Sequence, residues 1–502
     1  MANCRPKVIL FDFLKFEFRP CLEFSAYNLE FLTEMIQTTL HNIITVLDAK
    51  CSRTVSAEAQ IRGVSIDSRA MVPGQAFIAV KGDRFDGHDF AAAVAQQGAA
   101  CLIVERDIAM PSDNNVPVLK VRNTLEALTH LARWYRSQLS AHVIAVTGSA
   151  GKTTVRSILH HVLSRSSRCH QAVKSYNNHI GVPLTILDAP DDCEILLMEL
   201  GTNHPGEIEP LARIANPDTA CITLIGPAHL EGFGSIENIL IEKASIATGL
   251  KPGGTLYING DQPMLVAYAA SLGVRVITFG TTDKCDVIGT SLRTDGLTGS
   301  LIVEGRRIDV PLPGKANLMN VLTVWSICRD LKVGLSDFID AIASLPPVPM
   351  RLTAETVGQI TLLNDCYNAN PASMANALDT LSQLERQTNR RAVFVAGSMG
   401  ELGPTAPQLH RMVGRQAAEA NVACLLACGP FASDIVVGAK EAGFDGLSHL
   451  FKNTAELCDT LHSFVRPADI VLVKGSRAAG LEAAVEVLRK TKARQRELPD
   501  NK

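Results

Sequence analysis

One stretch limits the possible folds more than any other: "HVIAVTGSAGKTTVRSILHHVLSR", residues 142–165. A run of β-formers gives way to four small residues, then a lysine, two threonines and a helical pattern. This order predicts a strand, a tight turn and a helix, the unit from which parallel sheets are built. The alternation recurs. "TLEALTHLARWYRSQL" reads as a helix, and "EILLMELG" and "TACITLIG" read as buried strands. After a proline-rich connector, "SLPPVPM" (344–350), it resumes in "TLLNDCYNANPASMANALDTL", "RAVFVAGSMGEL", "ACLLACG" and "DIVLVKGSRAAGLEAAVEVL". A second open α/β sheet is expected there, with ligands beyond the carboxyl ends of its strands. The tail after about residue 490 is charged and is expected to fray.

Upstream, residues 35–122 alternate short strands with turns and one helix. "AFIAV" and "CLIV" are buried-strand candidates, with the Ala-rich stretch between them as helix. "MIQTTLHNIITVLDA" reads as a strand and an amphipathic helix. The first 34 residues mix aromatics and charges without a period, and lack the apolar core and cleavage site of a secretory signal. We expect a start at Met35, with 1–34 a poorly ordered extension. The expected organisation is thus 1–34, then domains at 35–122, 123–347 and 348–502. A chain of 502 residues has room for about three domains.

Composition excludes some classes. The net charge of −3 carries no nucleic-acid signal. No apolar run approaches the ~20 residues of a membrane helix. The 13 cysteines are scattered without a C-x-x-C pair, which suits a reducing compartment better than a disulfide framework. Cys424 and Cys428 of "CLLAC" read as buried thiols.

The small-residue turn is a phosphate-loop candidate. The strict pattern is G-x-x-x-x-G-K-[ST]. Gly151, Lys152 and Thr153 fit it, but the first glycine falls at Val146, so the loop reads Gly148-Ser149-Ala150-Gly151-Lys152-Thr153-Thr154. Small residues let backbone N–H groups approach phosphate oxygens, and the following helix offers its positive end. Lys152 would reach the β/γ-phosphates and the Thr153 hydroxyl a Mg²⁺ ion. The bland alternative is a βα turn with a solvated lysine. Glu199 follows an apolar strand and suits either Mg²⁺ or a helix cap. His229 follows another strand and is a structural or a ligating histidine. Lys243 reads from its spacing as a solvated helix lysine.

The set "TGSAGKTT", "SYNNHIGVPLTIL", "ELGTNHPGEI", "AHLEGFGSIENILIEKASI", "GKANLMN", "NDCYNANPASM" and "LVKGSRAAGLE" resembles the Mur ligase superfamily, as does the N-terminal "SIDSRAMVPGQAFIAVKGDRFDGHDF". The resemblance runs in order over roughly residues 35–490. It implies an α/β fold of three domains: a small UDP-binding domain, a central ATPase with a mostly parallel sheet, and a Rossmann-like domain that closes over the site. It also implies residue roles. Thr153 and Glu199 would hold a Mg²⁺ on the ATP phosphates. Glu199, His229 and a carbamylated Lys243 would serve a second Mg²⁺, with Lys152, His229 and Lys243 as the catalytic set. Asn317 and Asn320 would lie at the adenine, and Arg351 and Asp365 would contact the nucleotide. Ser68 and Arg69 would hold UDP, and Asn177 and Asn178 would line the muramoyl-peptide path. Lys474, Ser476 and Arg477 would lie near the reacting carboxyl.

The implied reaction joins UDP-N-acetylmuramoyl-tripeptide to D-alanyl-D-alanine at the expense of ATP, in the cytoplasm, by a monomer without nucleic-acid or membrane partners. "YNANP" suits this dipeptide-adding branch, and the "Asp-Asn-Pro-Arg" motif of the diamino-acid-adding branch is absent. The N-terminal domain disfavours folylpolyglutamate synthetase. A nucleotide switch would not need the Glu, His and Lys set. A small-molecule kinase would make no amide. Three positions depart from the family pattern: Ala316 where His is usual, Met350 for Gly and Ser398 for Asp.

Overall fold

The computed structural model describes residues 36–496, apart from 55, 57, 83, 113, 173 and 174. The expected start at Met35 and the segment before it lie outside the described residues. The chain divides into two compact units, Met1–Tyr135 with Leu187–Asp191, and Arg136–Ile186 with Asp192–Lys502.

In the first unit five short strands form a sheet in the order Lys50–Cys51, Val118–Lys120, Cys101–Val104, Ala76–Ile78 and Val64–Ser65. The last four pair in parallel, and Lys50–Cys51 joins antiparallel. A second pair, Gln37–Thr39 with Gln60–Arg62, is antiparallel. Thr39 caps helix Leu40–Leu47 by accepting from Asn42 N at 3.2 Å. The apolar runs "AFI" and "CLIV" are buried on both sides, as parallel strands require. Phe77, Leu102 and Val94 of helix Ala91–Gln96 fill the core beside them. The Tyr135 hydroxyl donates to Ala189 O at 2.7 Å, fixing the returning segment.

The second unit holds two sheets. One has nine strands, in the order Arg306–Val310, Gly299–Val303, Val287–Thr294, Arg275–Gly280, Thr255–Asn259, Thr219–Ile222, His142–Thr147, Ile195–Glu199 and Cys169–Gln171. The run from Val287–Thr294 to Cys169–Gln171 is parallel, and the remaining two strands add as antiparallel hairpins. Helix Lys152–Leu163 follows His142–Thr147. Its Val155, Ile158, Leu159 and Val162 recur at helical spacing and are buried. They share a core with Ile144, Leu197 and, from helix Lys315–Asp330, Leu318, Val321 and Leu322. Each such side chain contributes about 1.5–3 kcal/mol on full burial. Strand His142–Thr147 lies between Ile195–Glu199 and Thr219–Ile222, so the chain leaves it first to one side and later to the other. The crevice at such a reversal is where open α/β sheets take ligands.

The other sheet has six strands, ordered Thr353–Val357, Ile360–Asp365, Ile470–Lys474, Ala392–Gly397, Cys424–Cys428 and Leu447–Phe451. All pairs but the first are parallel. Residues 345–348 carry no regular structure before it. Helix Glu482–Arg496 continues beyond residue 490, where fraying is expected from the sequence, and Leu488 packs into the core below it.

Among the described residues eleven cysteines are free. Cys424 and Cys428 are buried in their strand, and burial raises both thiols. Burial also pushes the Cys101 thiol up to about 12 and that of Cys193 to about 11. Only Cys51, Cys169 and Cys458 of this set are partly exposed. No helix among the described residues is long and apolar enough to cross a membrane.

Candidate active site

The turn after His142–Thr147 is built for close approach. Gly148 has φ 147° and Gly151 φ 85°. A Cβ on Gly148 would fall 2.0 Å from Thr223 Oγ1, and one on Gly151 would fall 2.6 Å from Asn320 Oδ1. Ser149 N donates to Leu224 O at 2.7 Å, and the Ser149 hydroxyl donates to Gly226 O at 2.9 Å. Thr223 donates to Ala150 O. The turn is thereby tied to the segment after the neighbouring strand before any ligand arrives. Lys152 folds back to donate to Gly148 O at 2.6 Å. Burial lowers its pKa, Arg351 acts in the same direction and Glu199 opposes. Thr154 is buried beneath the turn.

Glu199 stands at the carboxyl end of its strand, 4% exposed. Its two oxygens accept from the Thr153 hydroxyl and from Asn177 Nδ2, both at 2.9 Å. Arg156, one turn into the helix, puts its Nε 3.7 Å from the same carboxylate. Burial pushes the Glu199 carboxyl up, but Lys152, Arg156, Asn177 and Arg351 together hold it below its ordinary value. Lys243 is 1% exposed. Burial drives its pKa well down and Lys152 adds to this, against Glu242. The Glu242 carboxylate is occupied elsewhere, accepting from the N–H groups of Gly206, Glu207 and Ile208. Among the described residues Lys243 has no hydrogen-bond or ion-pair partner.

The six-stranded sheet reaches the same place. Arg351 donates to Thr153 Oγ1 at 3.1 Å and lies 4.0 Å over the Tyr367 ring. Asn370 donates to Ser149 O at 3.0 Å. Asp365 and Lys474 end adjacent strands in register, and Lys474 Nζ donates to Asp365 Oδ2 at 2.6 Å. The other Asp365 oxygen accepts from Leu352 N, beside Arg351. Burial lowers the Lys474 pKa and Asp365 opposes. Ser476 is buried, and Arg477 lies 5.8 Å from the Tyr367 ring.

Other expected residues fall less directly on this cluster. Asn178 Oδ1 accepts from Ile180 N and Gly181 N, opening helix Gly181–Leu187. Asn317 accepts from Asn320 at 3.2 Å and donates to Pro313 O at 2.8 Å. His229 Nδ1 bonds Glu401 Oε2 rather than Glu199. Ser68 and Arg69 belong to the first unit, where the exposed Arg69 guanidinium pairs with Asp67. Of the three departures, Met350 takes φ 56°, a conformation that favours glycine. Ser398 accepts from Phe431 N at 3.3 Å, and Ala316 N donates to Asn376. Arg156, Asn370, Tyr367 and Glu401 belong to the cluster although the sequence reading gave none of them a role; Tyr367 and Asn370 lie in "YNANP" and Glu401 in "GSMGEL". The signal for Arg156 was its place one turn after Lys152; for Tyr367 and Asn370 it was the motif itself, and their meeting with Arg351 and Ser149 comes only from the fold.

Among the described residues no three His, Cys, Asp or Glu side chains are grouped to hold a metal. The oxygen donors are instead the Thr153 hydroxyl and the Glu199 carboxylate, which are hard ligands of the kind Mg²⁺ takes. The unpartnered Lys243 beside Lys152 is out of place as a cation. As a carbamate it would be an anion with two more oxygen donors. The residues present fit a Mg²⁺ site.

Known proteins match the chain along its length. The Mur ligase family catalytic domain matches residues 60–136, the Mur ligase middle domain residues 146–328, and the Mur ligase glutamate ligase domain residues 350–477. The UDP-N-acetylmuramoyl-tripeptide–D-alanyl-D-alanine ligase of Bacillus subtilis is 33% identical over 456 residues, covering 90% of this chain and 99% of its own. A crystal structure of MurF from Acinetobacter baumannii superposes with a TM-score of 0.81 at 29% identity, over 91% of this chain and 99% of that one. MurF ligase from Thermotoga maritima in complex with ADP gives 0.75 at 27% identity, over 86% and 98%. A phosphate turn facing a carboxylate and a buried lysine, on a three-domain α/β fold aligned end to end with these enzymes, leaves one assignment: the chain belongs to the Mur ligase family.

Proposed function

We propose that this chain is the ligase that joins D-alanyl-D-alanine to UDP-N-acetylmuramoyl-tripeptide with ATP, completing the pentapeptide precursor of peptidoglycan in the cytoplasm. One observation carries the reading: Lys152, Thr153, Glu199 and Arg351 converge at the phosphate turn of a chain that named ligases of this kind match over 90% of its length.

A carboxylate resists amine attack because its charge is delocalised and oxide is not a leaving group. Transfer of the ATP γ-phosphoryl group to the tripeptide carboxylate makes an acyl phosphate. The dipeptide amine then attacks it, and phosphate leaves. The chain's task is positioning and charge neutralisation. The turn from Gly148 to Thr154 would hold the phosphates, with Lys152 swinging from Gly148 O onto them. Thr153 and Glu199 would hold one Mg²⁺, and Glu199, His229 and carbamylated Lys243 a second. Bound there, Mg²⁺ would neutralise the phosphate oxygens as the carboxylate approaches. Asn317 and Asn320 would flank the adenine. Asp365 would hold Arg351 and Lys474 in place, with Lys474, Ser476 and Arg477 toward the reacting carboxyl and Asn177 and Asn178 along the peptide path. Ser68 and Arg69 would take the UDP group. The corresponding domains are residues 35–122, 123–347 and 348–502, in a monomer.

The test is direct. Incubation with ATP, Mg²⁺, D-alanyl-D-alanine and either the lysine or the diaminopimelate tripeptide, followed by mass spectrometry, should give a pentapeptide from one of them, with ADP and phosphate. ATP consumption without a coupled product from either tripeptide refutes the reading.

A further inference from the structure

His229 and Glu401 are 172 residues apart, in the segments that follow strands Thr219–Ile222 and Ala392–Gly397 of the second unit's two sheets. Their side chains are bonded, Nδ1 to Oε2. A second bond lies beside the first: Glu231 N donates to Glu401 O at 3.0 Å. Gly403 is pressed so closely that a Cβ would fall 3.2 Å from the Cα of Glu231. Both principals are strained. His229 has φ 55° and Glu401 φ 60°, a left-handed backbone in residues with a Cβ. Such conformations persist only where their surroundings over-determine them. The turn bearing Glu401 is anchored from behind. Met399 N donates to the Nε2 of His410, which is fully buried, and Ser476 N donates to Ser398 O.

We propose that Glu401 is a positioning residue that clasps His229 across the two sheets and fixes its tautomer. An acceptor on Nδ1 puts the imidazole proton there and leaves the lone pair of the unprotonated Nε2 free, the arrangement that makes a histidine a ligand. Because Glu401 arrives on the C-terminal sheet, His229 becomes a competent ligand only when that sheet is docked. The site then completes itself at docking, not before. This rests on the ligase reading for its purpose, but not for its test.

The experiment compares the full chain with Glu401→Ala and Glu401→Gln, each checked for an unchanged melting temperature. ¹⁵N spectra of histidine-labelled protein at neutral pH, with no nucleotide or metal added, report the tautomer. His229 should carry its proton on Nδ1 in the parent and in Glu401→Gln, whose amide oxygen still accepts. In Glu401→Ala that preference should vanish. Limited proteolysis within 344–350 should be faster in Glu401→Ala and near parental in Glu401→Gln. Where ligation is measured, Glu401→Ala should lose about tenfold in kcat with Glu401→Gln restoring most of it. A proton on Nε2 in the parent, or unchanged spectra and cleavage in Glu401→Ala, overturns the proposal. A chain that passes these tests yet makes no pentapeptide would retain the clasp and lose the ligase reading.

Discussion

Lys243 is 1% exposed, and burial together with the charge of Lys152 opposes its protonation more than Glu242 favours it. Low basicity favours the free amine, and a free amine adds CO₂. Lys243→Ala should therefore lower ligation at least about a hundredfold, roughly 3 kcal/mol of barrier. Added short-chain carboxylates should restore part of it; failure of rescue argues against the carbamate. Lys152→Ala should abolish turnover, since it removes the one cationic side chain of the turn Gly148–Thr154. Near-normal ligation by that variant would remove Lys152 from the mechanism. At this scale the sequence was readable where the chemistry is local. Gly148 to Thr153 is one contiguous motif. Arg351 on Thr153 and Asn370 on Ser149 bridge 198 and 221 residues, and no spacing rule anticipates such meetings. For Arg351 the resemblance supplied what spacing could not.

The phosphate turn as an element is rigid because its neighbours leave no room. Gly148→Ala would set a methyl carbon 2.0 Å from Thr223 Oγ1, on a backbone at φ 147°. It should cost about 1–3 kcal/mol in thermal unfolding and weaken ADP binding measured by calorimetry. Combining it with Thr223→Ala should recover part of the stability, because the clashing oxygen is gone while the backbone strain stays. Unchanged stability in Gly148→Ala would show that the turn yields. Strands and helices were the most legible elements. Apolar runs such as "ILLME" became strands buried along their whole length, and "KTTVRSILHHVL" became the expected helix. The antiparallel strands Val287–Thr294, Gly299–Val303 and Arg306–Val310 escaped notice. Val287–Thr294 and Arg306–Val310 are partly solvated and carry polar residues between their buried ones, Gly299–Val303 is short and opens with Gly and Ser, and "DG" and "EG" mark the turns between them.

For the whole molecule, stability should depend on pH through its first unit. Burial pushes the Asp188 carboxyl up to about 7. Its unfolded value is near 3.9, so the folded chain holds a proton that the unfolded chain releases. The associated stability is fully present below about pH 4, falls as pH rises, and is gone above about 7. Asp188→Asn should raise the melting temperature at pH 8 and leave it unchanged at pH 4. Equal melting of both proteins at pH 8 would show that Asp188 ionises freely in the fold. The alternation of strand and helix made the α/β class legible from sequence, and the ordered motifs gave the family. The docking of strands such as Ile360–Asp365 against Ile470–Lys474, which unites Asp365 with Lys474, depends on contacts more than 100 residues apart and became visible only in the fold.

The cysteine distribution has a practical consequence. With the other described thiols buried, maleimide reagents have Cys51, Cys169 and Cys458 as their accessible targets among the described residues. Cys51 lies in the first unit and Cys458 on helix Thr454–Phe464 of the second. With Cys4, Cys21 and Cys169 replaced, Cys51 and Cys458 offer a donor–acceptor pair for following the two units by energy transfer as substrates are added.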